Sequence, residues 1–311
     1  MAVIVAALFG VGVYMTNYAL LPESDDYDEQ SELLRVEEFY KREGLARWGM
    51  DLLESGRMKD TVMVIRGCRM QAYYAACTKE GTTSRKTAVL VHGYTSNPMA
   101  MMMYARMYMD EFGYNVILPS LRYHGRSRGK AIQMGWLDRL DVLEWAQWAH
   151  EHFQDSLQVV HGVSMGGATT MMLSGEDTPS YIKGFVEDCG YTSVWDQFAS
   201  EAKKKFNLPP FPVLNFSGLV CRIRFGWGFK EASSLKQLAK CSKPMLFIHG
   251  SNDDFVPTEM VYRNYAAKTT GYKDIWIAQG TAHAESFSDY PQEYTEKVRG
   301  FLLSCIDPSL E

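Results

Sequence analysis

The sequence predicts an α/β protein: a mostly parallel central sheet with helices on both faces and a helical lid or cap insertion. Three observations predict it. Short apolar, β-branched runs recur at 87–91, 116–119, 157–163, 182–187, 244–248 and 274–278, spaced widely enough for crossover helices. One run ends in Gly162-Val163-Ser164-Met165-Gly166 and passes at once into the helix-compatible Ala168-Thr169-Thr170-Met171-Met172. Several other runs exit into loops that carry His, Asp and Ser, and the carboxyl edge of an open α/β sheet is where such folds gather ligands.

Taken in chain order, the first element is apolar. Met1 to Pro22 contain no charged side chain, and Ala2 to Val13 are almost wholly apolar. A helix of this length can span about 30 Å of hydrocarbon, so 1–22 reads as an uncleaved transmembrane anchor. A cleaved signal peptide and a buried core helix are its rivals, but no Lys or Arg precedes the run and no small-x-small cleavage site follows. Glu23, Asp25, Asp26, Asp28 and Glu29 suit an outer face, which places the rest of the chain outside the cytoplasm. Residues 23–59 read as a helical extension whose Leu33, Leu34, Val36, Phe39 and Tyr40 form one apolar stripe. The main domain, 60–305, opens with a hairpin over 61–65 and 70–76, turned by Arg66-Gly67-Cys68-Arg69.

The run 87–91 leads into His92-Gly93-Tyr94-Thr95-Ser96-Asn97, and then into a methionine-rich helix over 99–109. Methionine fills irregular space; this helix reads as a cover for the sheet, with a soft acyl pocket as the alternative use of the same side chains. After 116–119 comes Arg122-Tyr123-His124-Gly125-Arg126-Ser127, where His124 reads as structural. The gap between 187 and 244 is longer than a crossover helix requires, and the lid is assigned to about 192–240. Its apolar, proline-rich middle places Phe206, Phe211 and Phe216 either over a substrate or in the core of a small helical cap.

A serine oxygen becomes a nucleophile when it is held clear of the backbone beside a base, and a sharp strand-to-helix turn flanked by Gly162 and Gly166 does this for Ser164. The base, an orienting carboxylate and oxyanion donors must come from elsewhere. The loop after 87–91 can offer the Tyr94 amide, which pairs with the Met165 amide after the nucleophile as an oxyanion hole. Carboxylates stand in His249-Gly250-Ser251-Asn252-Asp253-Asp254-Phe255-Val256-Pro257, and His283 stands in Gly280-Thr281-Ala282-His283-Ala284-Glu285-Ser286.

These four segments, in this order and spacing, resemble the serine hydrolases of the α/β-hydrolase superfamily over roughly residues 60–305. Within it the chain is similar to bacterial membrane-anchored or exported hydrolases of esterase-like or peptidase-like type. The resemblance implies the α/β-hydrolase fold and a Ser164, Asp253, His283 triad, with Val256-Pro257 setting the register that selects Asp253 over Asp254.

Composition excludes other classes. The chain has 311 residues, 46% of them apolar, enough for one large domain, and its net charge of −5 provides no basic stripe for nucleic acid. Lys203-Lys204-Lys205 reads as a solvated helix face. His150 and His152 are two apart and point in different directions on a helix, no His-Glu-x-x-His occurs, and the six cysteines lack Cys-x-x-Cys spacing, so no metal and no cofactor is expected. The expected chemistry is acyl transfer through a covalent Ser164 intermediate on a small ester, with membrane contact through the N-terminal segment. A peptidase or amidase of the same fold is the alternative, and a non-catalytic binding protein that keeps the fold is a third reading.

Overall fold

The computed structural model describes residues 2–22, 28–79 and 81–310. Three helices come first: α1 (Ala2–Leu20), α2 (Glu29–Phe39) and α3 (Leu45–Glu54). Next are β1 (Met58–Ile65), β2 (Cys68–Ala75), a small hairpin of β3 (Thr78–Lys79) and β4 (Thr82–Thr83), and β5 (Lys86–Val91). A 3₁₀ turn (Pro98–Met101), α4 (Met102–Arg106) and a π-helical turn (Met107–Glu111) lead to β6 (Asn115–Pro119). Then come α5 (Asp138–Phe153), β7 (Leu157–Val163), α6 (Met165–Ser174) and β8 (Ile182–Asp188). The insertion is α7 (Val194–Phe206), α8 (Val213–Phe225) and α9 (Ser234–Leu238). The chain closes with β9 (Met245–Gly250), α10 (Glu259–Ala267), β10 (Lys273–Ala278), α11 (Ser286–Asp289) and α12 (Pro291–Cys305).

Eight strands form one sheet in the order β1-β2-β6-β5-β7-β8-β9-β10. The β1–β2 and β2–β6 pairs are antiparallel and every later pair is parallel. All residues of β6 and β9 are buried, as unbroken apolar runs in a sheet covered on both faces require. One core lies around Leu90, Val116 and Tyr294, and the other around Val89, Trp145 and Phe247. The hairpin turn is tighter than the four residues expected. Arg66 and Gly67 both have positive φ, 49° and 76°, so two residues make the turn and Cys68 pairs with Ile65.

The methionine-rich segment is a cover for the sheet: Met99, Met101, Met102, Met103, Met107 and Met109 are all buried. The stripe on the extension is narrower than expected. Leu33, Val36 and Tyr40 are buried within a narrow arc of helix, whereas Leu34 and Phe39 point away and are exposed. The buried surface continues instead through Leu45, Ala46 and Leu52 of α3.

The first helix needs a correction. Among the described residues no helix is long and apolar enough to cross a membrane, and the second half of α1 is folded into the protein. Gly12 faces α8 so closely that an added Cβ would stand 2.9 Å from the Phe216 carbonyl carbon. Thr16 is buried and its hydroxyl donates to the Gly12 carbonyl at 2.7 Å and the Ser217 carbonyl at 3.1 Å. Leu20 is fully buried, and its carbonyl accepts from the Ile132 amide at 3.0 Å. Apolar composition suits lipid and protein interior alike; the small residue at 12 and the hydroxyl at 16 are what select the second. Glu23, Asp25 and Asp26, expected on an outer face, lie outside the described residues.

Burial of Leu20 sets a stability cost. Leu20→Ala is expected to destabilise the fold by about 2–5 kcal/mol, the range for truncating a fully buried leucine, read as a lowered urea midpoint at unchanged slope. A midpoint equal to that of the unaltered chain would show that α1 is not packed.

Candidate active site

β7 ends at Val163 and α6 begins at Met165, so Ser164 alone makes the turn, at φ 60° and ψ −118°. Such a conformation is strained for a residue with a Cβ and persists only when its surroundings over-determine it. They do so through close backbone approach. A Cβ at Gly166 would stand 1.9 Å from the Val91 carbonyl oxygen, and one at Gly162 would stand 2.1 Å from the Gly166 carbonyl oxygen. The Ser164 amide donates to the Asp188 carbonyl at 2.8 Å, which ties the turn to the end of β8.

The residues singled out by the sequence meet here. The Ser164 hydroxyl donates to His283 Nε2 at 2.8 Å, and His283 Nδ1–H donates to Asp253 Oδ2 at 2.6 Å. Asp253 Oδ1 accepts the amides of Phe255 at 3.0 Å and Val256 at 2.8 Å, so Val256 fixes the carboxylate's register directly. Burial alone raises the pKa of Asp253, but hydrogen bonds from His249 and His283, and the charge those rings carry when protonated, outweigh it and hold the group at about 2. Asp254 points away. It is exposed and pairs with Lys204 Nζ at 2.8 Å rather than capping α10, which starts at Glu259 without a side-chain cap.

The Gly93-Tyr94 loop lies against the serine, since a Cβ at Gly93 would be 3.4 Å from Ser164 Cβ. Neither the Tyr94 nor the Met165 amide donates to a protein acceptor among the described residues, and Met165 stands in the first turn of α6, where unpaired N–H groups favour negative charge. Two buried histidines hold this loop. His92 Nδ1–H donates to the Gly93 carbonyl at 2.8 Å and its Nε2 accepts the Leu121 amide at 3.0 Å. His124 Nε2 accepts the Thr95 amide at 3.1 Å while its Nδ1–H donates to the Arg122 carbonyl at 2.8 Å. Desolvation pushes His92 well below the usual imidazole range and His124 down to about 4, so both rings stay neutral acceptors. His124 is therefore structural, as expected.

His249, Tyr294, Asp188 and His161 support the site and were not singled out from sequence. His249, fully buried in β9, donates through Nε2 to the Val256 carbonyl at 2.9 Å and lies 3.2 Å from Asp253 Oδ2. Its place one strand end before the carboxylate, in His249-Gly250-Ser251-Asn252-Asp253, is the signal that could have found it. Tyr294 donates to Asp188 Oδ2 at 3.0 Å and meets His161 Nε2 at 2.9 Å. This chain braces the end of β8 from α12, and desolvation raises Asp188 to about 6. Its members lie too far apart in sequence to form a motif.

Two cavities meet at Ser164. One, of about 90 Å³, is apolar and walled by Met15, Tyr18, Phe198, Phe206 and Phe229. The other, of about 350 Å³, is bordered by Glu32, Arg35, Tyr40 and His283. Both share Tyr94, Ser164 and Phe255. Of the lid phenylalanines, Phe206 lines the apolar cavity, while Phe211 is exposed and turns away from it. Cys189, Asp253 and His283 bring three donor atoms within 4.8 Å of one another. They do not suit a metal: Asp253 and His283 are engaged with each other and with Ser164, and burial pushes the Cys189 thiol well up, away from the thiolate a metal needs.

Comparison with known proteins agrees with this architecture. A family model described as the alpha/beta hydrolase fold matches residues 89–208, from β5 through the elbow to the end of α7. The chain has the α/β-hydrolase fold. It is 28% identical to YqkD of Bacillus subtilis over 264 residues, 83% of this chain and 85% of that protein. A solved esterase of Pyrococcus furiosus superposes with a TM-score of 0.65 at 23% identity, covering 80% of this chain and 91% of its own. An acylaminoacyl peptidase of Pyrococcus horikoshii superposes at 0.58 and 17% identity, covering 85% of this chain and 44% of its own. Both solved structures share the fold of this chain.

The depressed pKa of Asp253 sets a pH dependence of stability. Its folded value of about 2 lies below the ordinary 3.8, so the ionised group stabilises the fold above about pH 4 and loses that contribution as pH falls through 2. The difference corresponds to about 2 kcal/mol. The stability gap between the unaltered chain and Asp253→Asn, measured by urea unfolding, is expected to shrink by about that amount between about pH 5 and pH 2. A gap independent of pH would contradict an Asp253 held ionised by its neighbours.

Proposed function

We propose that this α/β hydrolase is a serine carboxylesterase acting through an acyl-enzyme. The observation that carries the reading is the unbroken hydrogen-bond chain from Ser164 through His283 to the buried Asp253. Ser164 Oγ attacks the ester carbonyl and its proton passes to His283 Nε2, while Asp253 keeps the imidazole in the Nδ1–H form and balances the imidazolium. The amides of Tyr94 and Met165 receive the oxyanion. His283 then gives the proton to the leaving alkoxide as the carbonyl–oxygen bond breaks. Water, deprotonated by the same nitrogen, attacks the acyl carbon and releases the acid and free Ser164.

The apolar cavity beside Ser164 favours an ester with an apolar acyl chain, and the likeness to an esterase supports that assignment. A peptidase or amidase is the second reading. The Glu32–Arg35 pair bordering the other cavity favours it, because such a pair could anchor a peptide end, and so does the likeness to an acylaminoacyl peptidase.

Ser164→Ala is expected to abolish both fluorophosphonate labelling and hydrolysis of p-nitrophenyl butyrate at unchanged melting temperature; labelling at another serine would overturn the reading. A companion pair separates the adjacent carboxylates. Asp253→Asn is expected to lower kcat by about 10⁴, the cost of the equivalent change in a serine protease, and Asp254→Asn to leave it unchanged. The reverse pattern would contradict the register. Faster turnover of aminoacyl amides than of the esters would select the peptidase reading.

A further inference from the structure

Helix α1 has two faces with different surroundings. Its inner side contributes Met15, Tyr18 and Ala19 to the wall of the cavity that holds Ser164. Along its outer side Val3, Val11, Tyr14 and Tyr18 follow helical spacing, and all four are exposed, from 40% at Val11 to 81% at Val3. Its partner α8 exposes Leu219 and Ile223 one turn apart. Tyr18 belongs to both faces: it lines the cavity, is half exposed, and meets the partly exposed Phe206 of α7 edge-on at 5.6 Å. The rim of the apolar cavity is thus continuous with an exposed apolar surface. Soluble monomers leave such surfaces uncovered where something binds.

Charge identifies what binds. The described residues of α1 and α8 include no acidic side chain; of the two cations on α8, Arg222 is paired with Glu231 at 2.6 Å, which leaves Arg224 to face outward. Arg224 reaches across to donate to Asn17 of α1, which sets a guanidinium beside the apolar helix. Lys203 is exposed in the α7 turn that ends in Phe206, whereas its neighbour Lys204 is paired with Asp254. Aromatic and aliphatic side chains flanked by Arg and Lys fit the boundary between acyl chains and anionic headgroups, where a helix lies in the plane of the surface rather than across it.

We propose that α1 and α8 dock this protein on an anionic lipid surface, with the Tyr18–Phe206 rim opening the acyl cavity toward the lipid, so that its substrates are esters of lipid-like acyl chains drawn from that surface. The substrate part rests on the esterase reading, whereas docking stands on the surface alone. A rim that is apolar on both sides lets an acyl chain pass from lipid to Ser164 without crossing water, and that avoids exposing the chain during transfer.

The test is sedimentation of the full-length chain with sucrose-loaded vesicles, either phosphatidylcholine alone or with about 30 mol% phosphatidylglycerol. The unaltered chain is expected to pellet with the mixed vesicles and less with phosphatidylcholine. Val11→Glu with Tyr14→Glu, on the outer face and away from the cavity, is expected to lower partition about tenfold or more while hydrolysis of soluble p-nitrophenyl acetate is unchanged. Lys203→Gln with Arg224→Gln is expected to remove the preference for the mixed vesicles at unchanged melting temperature. The docking proposal is overturned if the unaltered chain stays in the supernatant with both vesicles, or if the glutamate pair partitions as it does. It is equally overturned if the chain is a dimer that the glutamate pair makes monomeric, because the face would then belong to a second copy. Loss of soluble-ester hydrolysis in the unaltered chain would instead strike the esterase reading, leaving docking to be judged by the pellet.

Discussion

At Gly166 the first turn of α6 comes so near the end of β5 that any side chain would collide with the Val91 carbonyl, and the geometry of the site depends on that contact. It forces the strand-to-helix reversal into one residue, which puts Ser164 in a strained left-handed conformation with its oxygen outside the backbone. It also brings the loop after β5 against the serine. The serine and the loop beside it are therefore placed by a single backbone approach that only glycine permits. The parallel register of β5, β7, β8 and β9 then brings the loops carrying Asp253 and His283 to the same edge.

Around that contact the protein spends buried polar groups on loop position. His92 and His124 are desolvated and neutral, and serve as acceptors for the amides of the oxyanion loop and its neighbour. Asp253 is buried yet ionised, because the His283 N–H and two backbone amides meet its oxygens and the His249 ring lies 3.2 Å from Oδ2. A buried carboxylate with fewer partners would neutralise. This accounts for the presence of His249 at the end of a strand otherwise made of apolar residues.

The meeting of the candidate residues that follow a strand was legible in the sequence, because each apolar run ends where the chain must turn at the sheet edge and the candidate residue comes within a few positions of that end. Ser164, Asp253, His283 and the Tyr94 loop all obey this. What was not legible depended on tertiary partners. Apolar composition could not say which face of α1 packs against α8; Gly12 and Thr16 mark it by allowing close approach. Leu34 and Phe39 looked like core because the helix was counted as one broad stripe, whereas only the arc of Leu33, Val36 and Tyr40 faces the domain. The Tyr294–Asp188 contact joins residues 106 positions apart, and no local pattern marks it.

The central claim, that Ser164 carries the acyl group, is tested most directly by intact-mass and peptide-mass measurement after brief reaction with p-nitrophenyl butyrate and acid quench. The geometry of Ser164, His283 and the two amides predicts one butyryl group per chain, mapped to the peptide containing Ser164 and appearing with a burst of nitrophenol. Hydrolysis with no burst and no acyl mass on any trapped chain, or a butyryl group on a different residue, would contradict it.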